Sequence, residues 1–148
     1  MNNKRGFTLL EMLLVIFLIS IIVGISAVVF TRSLPSQRVD AVAREIMASF
    51  RQARSNAVMS GKWQVLNIDI EGRTFSVEGG AVRAIPADVS IRVIDPLYGE
   101  VVTGGYRFVF APSGVAEGGR VVLSAGKKVV TLEIDPIVGA VYSRARAK

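Results

Sequence analysis

The chain has 148 residues with no Cys and no His, which removes disulfides, thiol catalysis, Ser-His triads and the usual zinc and haem ligand sets. Its 18 Lys and Arg against 12 Asp and Glu leave a net charge of +6, a balance that elsewhere suggests nucleic acid or an anionic membrane. Here the excess is confined to a short leader, the stretch 31–60 and the last five residues, while 61–143 is near neutral. It does not build a basic domain face.

The leader is Met1 to Gly6, with Lys4 and Arg5, and it precedes an apolar run from Phe7 to Phe30 (FTLLEMLLVIFLISIIVGISAVVF). At about 1.5 Å per residue this run makes a helix of roughly 36 Å, enough to cross a hydrocarbon core of about 30 Å. One acid, Glu11, interrupts it. A carboxylate in such a segment costs on the order of 2–3 kcal/mol, so Glu11 is a functional-site candidate by default. A cleavable signal peptide has an apolar stretch of about 7–15 residues and a small-x-small ending, which this run lacks; a plain anchor accounts for the length but not the acid. A Glu that snorkels to the headgroups is the bland alternative. Lys4 and Arg5 place the leader in the cytoplasm and the bulk of the chain outside, with Arg32 and Arg38 blunting the asymmetry.

Past the run, Pro35 removes one backbone donor and restrains Leu34, so a bend or short break is expected there. From Ser36 to Ser60 the apolar residues Val39, Val42, Ala43, Ile46, Phe50, Ala53 and Ala57 recur at spacings of three and four, one stripe of an amphipathic helix. Arg44, Arg51 and Ser55 fall on other faces, and Gly61 is the expected C-cap.

From Trp63 the pattern changes to short strands: Trp63–Ile70, Thr74–Val77, Val89–Asp95, Tyr106–Phe110, Arg120–Ser124, Val129–Asp135 and Ala140–Ser143. Turn signals separate them, among them Glu71-Gly72-Arg73, Asp95-Pro96, Pro112-Ser113-Gly114, Gly126-Lys127 and Asp135-Pro136. Alternation at Leu66/Ile68/Ile70 and Val130/Leu132/Ile134 gives these strands one buried face, against which the helical stripe packs. The expected fold is therefore α+β, a long N-terminal helix on an antiparallel sheet. Trp63, Tyr106, Phe108 and Phe110 read as core. The organisation is leader 1–6, spanning helix 7–30, amphipathic continuation 31–60 and β-rich domain 61–148.

Catalytic patterns are missing. Pro112-Ser113-Gly114 is a turn without a base, and the glycine pairs lack the spacing of a phosphate loop. Asp69, Glu71, Asp88, Asp95 and Asp135 are scattered acids at strand ends, a poor calcium set. Neither a cofactor nor a metal is expected, and an anchored hydrolase is disfavoured.

Lys4-Arg5-Gly6-Phe7-Thr8-Leu9-Leu10-Glu11 closely resembles the processing site of type IV prepilins and type II secretion pseudopilins. The resemblance implies cleavage between Gly6 and Phe7 by prepilin peptidase and methylation of the new Phe7 amine. Residues 43–66 resemble the helix-to-strand block of H-type minor pseudopilins and FimT-like minor pilins. Phe108 to Gly114 resembles their Phe-x-Pro-x-Gly segment, and Thr131 to Asp135 with Gly139-Ala140-Val141 their last hairpin.

With Phe7 as the first residue, its α-ammonium lies four positions from Glu11 on one helix face, and the pair attracts in a low dielectric. The resemblance favours the amine of a neighbouring subunit, which sets axial register in a filament. It implies a type IV pilin-like fold and a minor pseudopilin of a type II secretion system, single-pass in the inner membrane with its C-terminal domain in the periplasm, assembling with other pseudopilins. The alternative is a FimT-like minor type IV pilin that binds DNA through Arg144, Arg146 and Lys148. Against it, Ala140 stands where many relatives carry a basic residue.

Overall fold

The computed structural model describes residues 8–147, with side-chain surroundings for 8–24 and 36–146. The chain divides into two compact units, 1–34 and 35–148. A single helix, α1 (Leu9–Ser60), contributes to both. Among the described residues no helix is long and apolar enough to cross a membrane. The expected spanning run extends beyond them, since Phe7 and the side chains of residues 25–30 lie outside the described set.

In the first unit the side chains from Thr8 to Gly24 are all exposed, and most are Leu, Ile, Val, Met or Phe. A helix that is apolar all round has no core of its own to face and is completed by lipid or by other helices. The break considered at Leu34-Pro35 is not there, because residues 31–38 are helical throughout. Proline costs a helix one N–H bond, which the flanking turns tolerate without a change of state.

In the second unit the seven stripe residues Val39, Val42, Ala43, Ile46, Phe50, Ala53 and Ala57 are all buried. The helix stops at Gly61, whose φ of 65° is the left-handed cap that a Cβ disfavours. Among the described residues ten strands follow: β1 (Gln64–Asp69), β2 (Thr74–Val77), β3 (Arg83–Ala84), β4 (Ser90–Asp95), β5 (Gly99–Val101), β6 (Gly105–Phe110), β7 (Ala116–Glu117), β8 (Arg120–Ala125), β9 (Lys128–Ile134) and β10 (Val141–Ala147). They form two antiparallel sheets, β3-β2-β1-β6-β7 and β10-β9-β8-β4-β5.

All seven expected strands are present. The additions are β3, β5 and β7, too short for periodicity to register. One correction concerns the C-terminus. Of the residues expected as a basic tail, Arg144 to Ala147 continue a strand, with Arg144 opposite Thr131 and Arg146 opposite Val129, while Lys148 lies outside the described residues. Pairing with β9 satisfies their backbone groups, a gain that local composition does not reveal.

The helical stripe shares one apolar core with the inner faces of both sheets, through Leu66, Ile68 and Phe108 on one and Ile91, Leu123 and Leu132 on the other. Phe50 stands edge-on to Phe108, centroids 4.9 Å apart, with Phe110 at 6.1 Å. Trp63 overturns its expectation. It is 58% exposed, because β1 begins only at Gln64 and leaves the indole on the connecting turn.

Candidate functional site

At the N-terminus, the Thr8 hydroxyl accepts the Glu11 N–H at 3.2 Å, and the Thr8 carbonyl accepts it at 3.1 Å. Thr8-Leu9-Leu10-Glu11 thus has the pattern of a helix cap, hydroxyl at N-cap and acid three residues on, where the carboxylate also meets the positive end of the helix dipole. This is a local reason for Thr8 and Glu11 that the sequence reading did not weigh. Glu11 is exposed and makes no ion pair among the described residues. Gly6 and Phe7, the expected processing pair, lie outside the described residues, as does Lys148.

The other expected cations are on β10, an edge strand. Arg144 and Arg146 alternate with Ser143 and Ala145 and so share one face with Tyr142. All three are exposed.

Strand direction assembles a further region. Because β9 and β4 each pair antiparallel with β8, they run parallel to one another about 9.5 Å apart. Their starts are tied to the early second-unit helix, by Arg38 to Asp88 at 3.0 Å and by Lys128 to Asp40. Their ends carry the same five-residue turn, Asp95-Pro96-Leu97-Tyr98-Gly99 and Asp135-Pro136-Ile137-Val138-Gly139. In each the Asp Oδ1 accepts the N–H groups two and three residues on, at 2.7–3.0 Å, and the closing glycine has positive φ. With the polar groups so bound, the two apolar residues of each turn point outward. Leu97 and Tyr98 are 85% and 86% exposed, Ile137 and Val138 80% and 53%. A cavity of about 420 Å³ lies between the turns, lined by both prolines. The repeated Asp-Pro-apolar-apolar-Gly pattern was visible in the sequence; only the sheet order places both copies at one pole.

Asp95 has an additional role. Its carboxylate also accepts the Tyr106 hydroxyl, joining β6 of one sheet to the end of β4 in the other. That bond, with those from the Tyr98 and Leu97 N–H groups, holds the Asp95 carboxyl below its ordinary value. Burial and the neighbouring carboxylate push the Tyr106 hydroxyl well above its usual range. Asp69 accepts the Gly72 N–H and Asp88 the Arg38 guanidinium, so four of the five acids considered for calcium, Glu71 excepted, serve turns and ion pairs.

Three of the four stretches that carry the family resemblance, all but the N-terminal motif, meet beside the second turn. Arg54 of the helical block packs against Gly114 of the Phe-x-Pro-x-Gly segment and Gly139 of the last hairpin. A Cβ at Gly139 would collide with the Gly114 carbonyl and the Arg54 side chain.

Residues 1–27 match the model of the prokaryotic N-terminal methylation motif, and residues 42–137 match that of type II transport protein GspH. The chain is similar to the type II secretion system protein H of Xanthomonas campestris pv. campestris. The two are 29% identical over 142 residues, covering 96% of this chain and 84% of that protein. No solved structure matches the chain.

Proposed function

The chain belongs to the type II transport protein GspH family and is a minor pseudopilin of a type II secretion system, and from that premise we propose how its parts serve the role. The prepilin peptidase cuts between Gly6 and Phe7 and methylates the Phe7 amine. The mature subunit waits in the inner membrane, spanning it once with residues 7–30, its β-rich domain in the periplasm. It then enters a short helical filament with the other pseudopilins, where residues 7–30 pack against neighbouring helices and Glu11 meets a neighbour's Phe7 ammonium. The role is structural, without catalysis, cofactor or metal.

The observation that carries this reading is the methylation motif matched over residues 1–27, which runs into a helix whose described first-unit side chains are all exposed and, Glu11 and Ser20 apart, apolar or small. Such a surface requires lipid or other helices. The outward Leu97-Tyr98 and Ile137-Val138 pairs supply the contact loops of the domain. Intact-mass measurement of protein extracted from its native host tests the processing step. The expected product lacks Met1 to Gly6 and carries one added methyl on Phe7; a product retaining the leader refutes it.

A further inference from the structure

We propose that the cleft between the last turns of α1 and the β9–β10 turn binds an acidic side chain of a neighbouring pseudopilin, with Arg51 and Arg54 as its cations. This rests on the pseudopilin reading above and names the contact by which the domain holds a neighbour.

The cleft has a volume of about 540 Å³ and is walled by Arg51, Arg54, Val58, Met59, Gly139 and Val141, with no acid anywhere in its lining. Arg51 and Arg54 are three residues apart on one helix face. The ion pairs among the described residues use Arg38, Arg92, Arg120 and Lys128, so neither cleft arginine is neutralised by an acid among them. Arg54 Nε is buried and has no hydrogen-bond acceptor.

Arg51 and Arg54 offer the cleft two guanidinium charges with no acid against them among the described residues, although Arg54 Nε itself is too enclosed for an outside group to touch. The two glycines keep Arg54 in place. Gly114 and Gly139 both have positive φ and no side chain, which lets the Arg54 guanidinium and its Cδ lie against bare backbone at the edge of the cleft.

The shape selects a carboxylate on a protein. A planar guanidinium matches a carboxylate in two parallel hydrogen bonds, and Arg51 adds a second charge a turn away. The remaining walls, Val58, Met59 and Val141, are apolar, and Ile137 and Val138 stand exposed in the adjoining turn. An acid flanked by apolar residues satisfies both chemistries. A phosphate backbone would leave those walls facing a strongly hydrated strand.

The test uses the full-length protein in detergent and each of the other pseudopilins of its own secretion system, purified separately, with affinity measured at low and high salt. The expected result is that one of them binds and that binding weakens as salt rises. Arg51→Glu should cost about tenfold or more in affinity with an unchanged melting temperature. An Asp or Glu to Lys change on that pseudopilin, found by scanning its acids, should restore binding to Arg51→Glu. Arg54→Lys keeps the charge but loses the fork, and should weaken binding while Arg51→Lys does not. Affinity unchanged in both Arg51→Glu and Arg54→Lys, with wild type binding normally, overturns the cleft assignment alone. A duplex DNA shift that depends on Arg51, with pseudopilin binding unaffected, overturns it in favour of phosphate. Failure of the wild-type protein to bind any of those pseudopilins overturns the parent reading as well.

Discussion

The Tyr106 hydroxyl donates to the Asp95 carboxylate across the two sheets, and the same carboxylate closes the β4–β5 turn through the Leu97 and Tyr98 N–H groups. One side chain therefore couples sheet-to-sheet docking to the conformation of an exposed loop. Tyr106→Phe should lower the melting temperature of the full-length protein in detergent by on the order of 4 °C. Asp95→Asn should be destabilising at neutral pH. Because folding depresses the Asp95 carboxyl pKa, its contribution is complete above the ordinary value of 3.8 and is lost as pH falls through the folded one. The wild-type and Asp95→Asn melting curves should thus converge in acid. At the other end, Tyr106 titrates above its ordinary 10.0, so its contribution is complete below that pH and declines above it. A constant difference between the two proteins across the acid range would refute the linkage.

Phe50 is the aromatic by which α1 engages the sheets, fully buried and in contact range of Phe108 and Phe110. Phe50→Ala removes a whole ring from a packed interior and should destabilise the second unit by about 3–5 kcal/mol. Denaturant unfolding followed by far-ultraviolet circular dichroism checks this. Phe50→Leu, which keeps most of the volume, should cost much less.

The twin Asp-Pro turns expose Leu97 and Ile137 without using them in the core. The double change Leu97→Asp and Ile137→Asp should leave stability within about 0.5 kcal/mol of wild type, as surface substitutions generally do. If these turns form contacts with other pseudopilins, the same variant should lose secretion in a complementation assay. Full secretion by a stably folded double variant would remove the turns from the assembly surface.

Glu11 sits in the first turn of α1 with its N–H held by Thr8. Replacing it with Ala should leave membrane insertion intact, since an apolar residue is favoured there. Incorporation into the filament should fall because the pairing charge is gone. Glu11→Gln separates the two roles: it retains side-chain length near the helix start but not the charge. Co-purification of either variant with the other pseudopilins at wild-type levels would argue against the ammonium pairing.

Periodicity was sufficient wherever burial is a local matter. The seven residues from Val39 to Ala57 proposed as one stripe are all in the core, because a helix turns the same face inward every three or four positions. Strand positions were legible for the same reason at period two, and Gly61 because a left-handed cap is a property of one residue. The short β3, β5 and β7 were not legible, since two or three residues carry no period. Pro35 signals a bend or a break, and the helix continues through it because a single lost N–H bond does not end it. Hydrophobicity alone points Trp63 to the core, but its place just before β1 decides its exposure.

By itself the sequence determined the processing motif, the apolar run, the order of helix and strands and the absence of Cys and His chemistry. Each of these is written in neighbouring residues. Tertiary structure alone decided that the strands form two sheets, that β10 absorbs Arg144 and Arg146, and that the two Asp-Pro turns emerge at one pole. It also brought Arg54, Gly114 and Gly139 together from segments as much as 85 residues apart. Those relations depend on which strand pairs with which. Pairing is selected by the burial of a shared core and the satisfaction of backbone hydrogen bonds across the whole domain, and no local window contains that information.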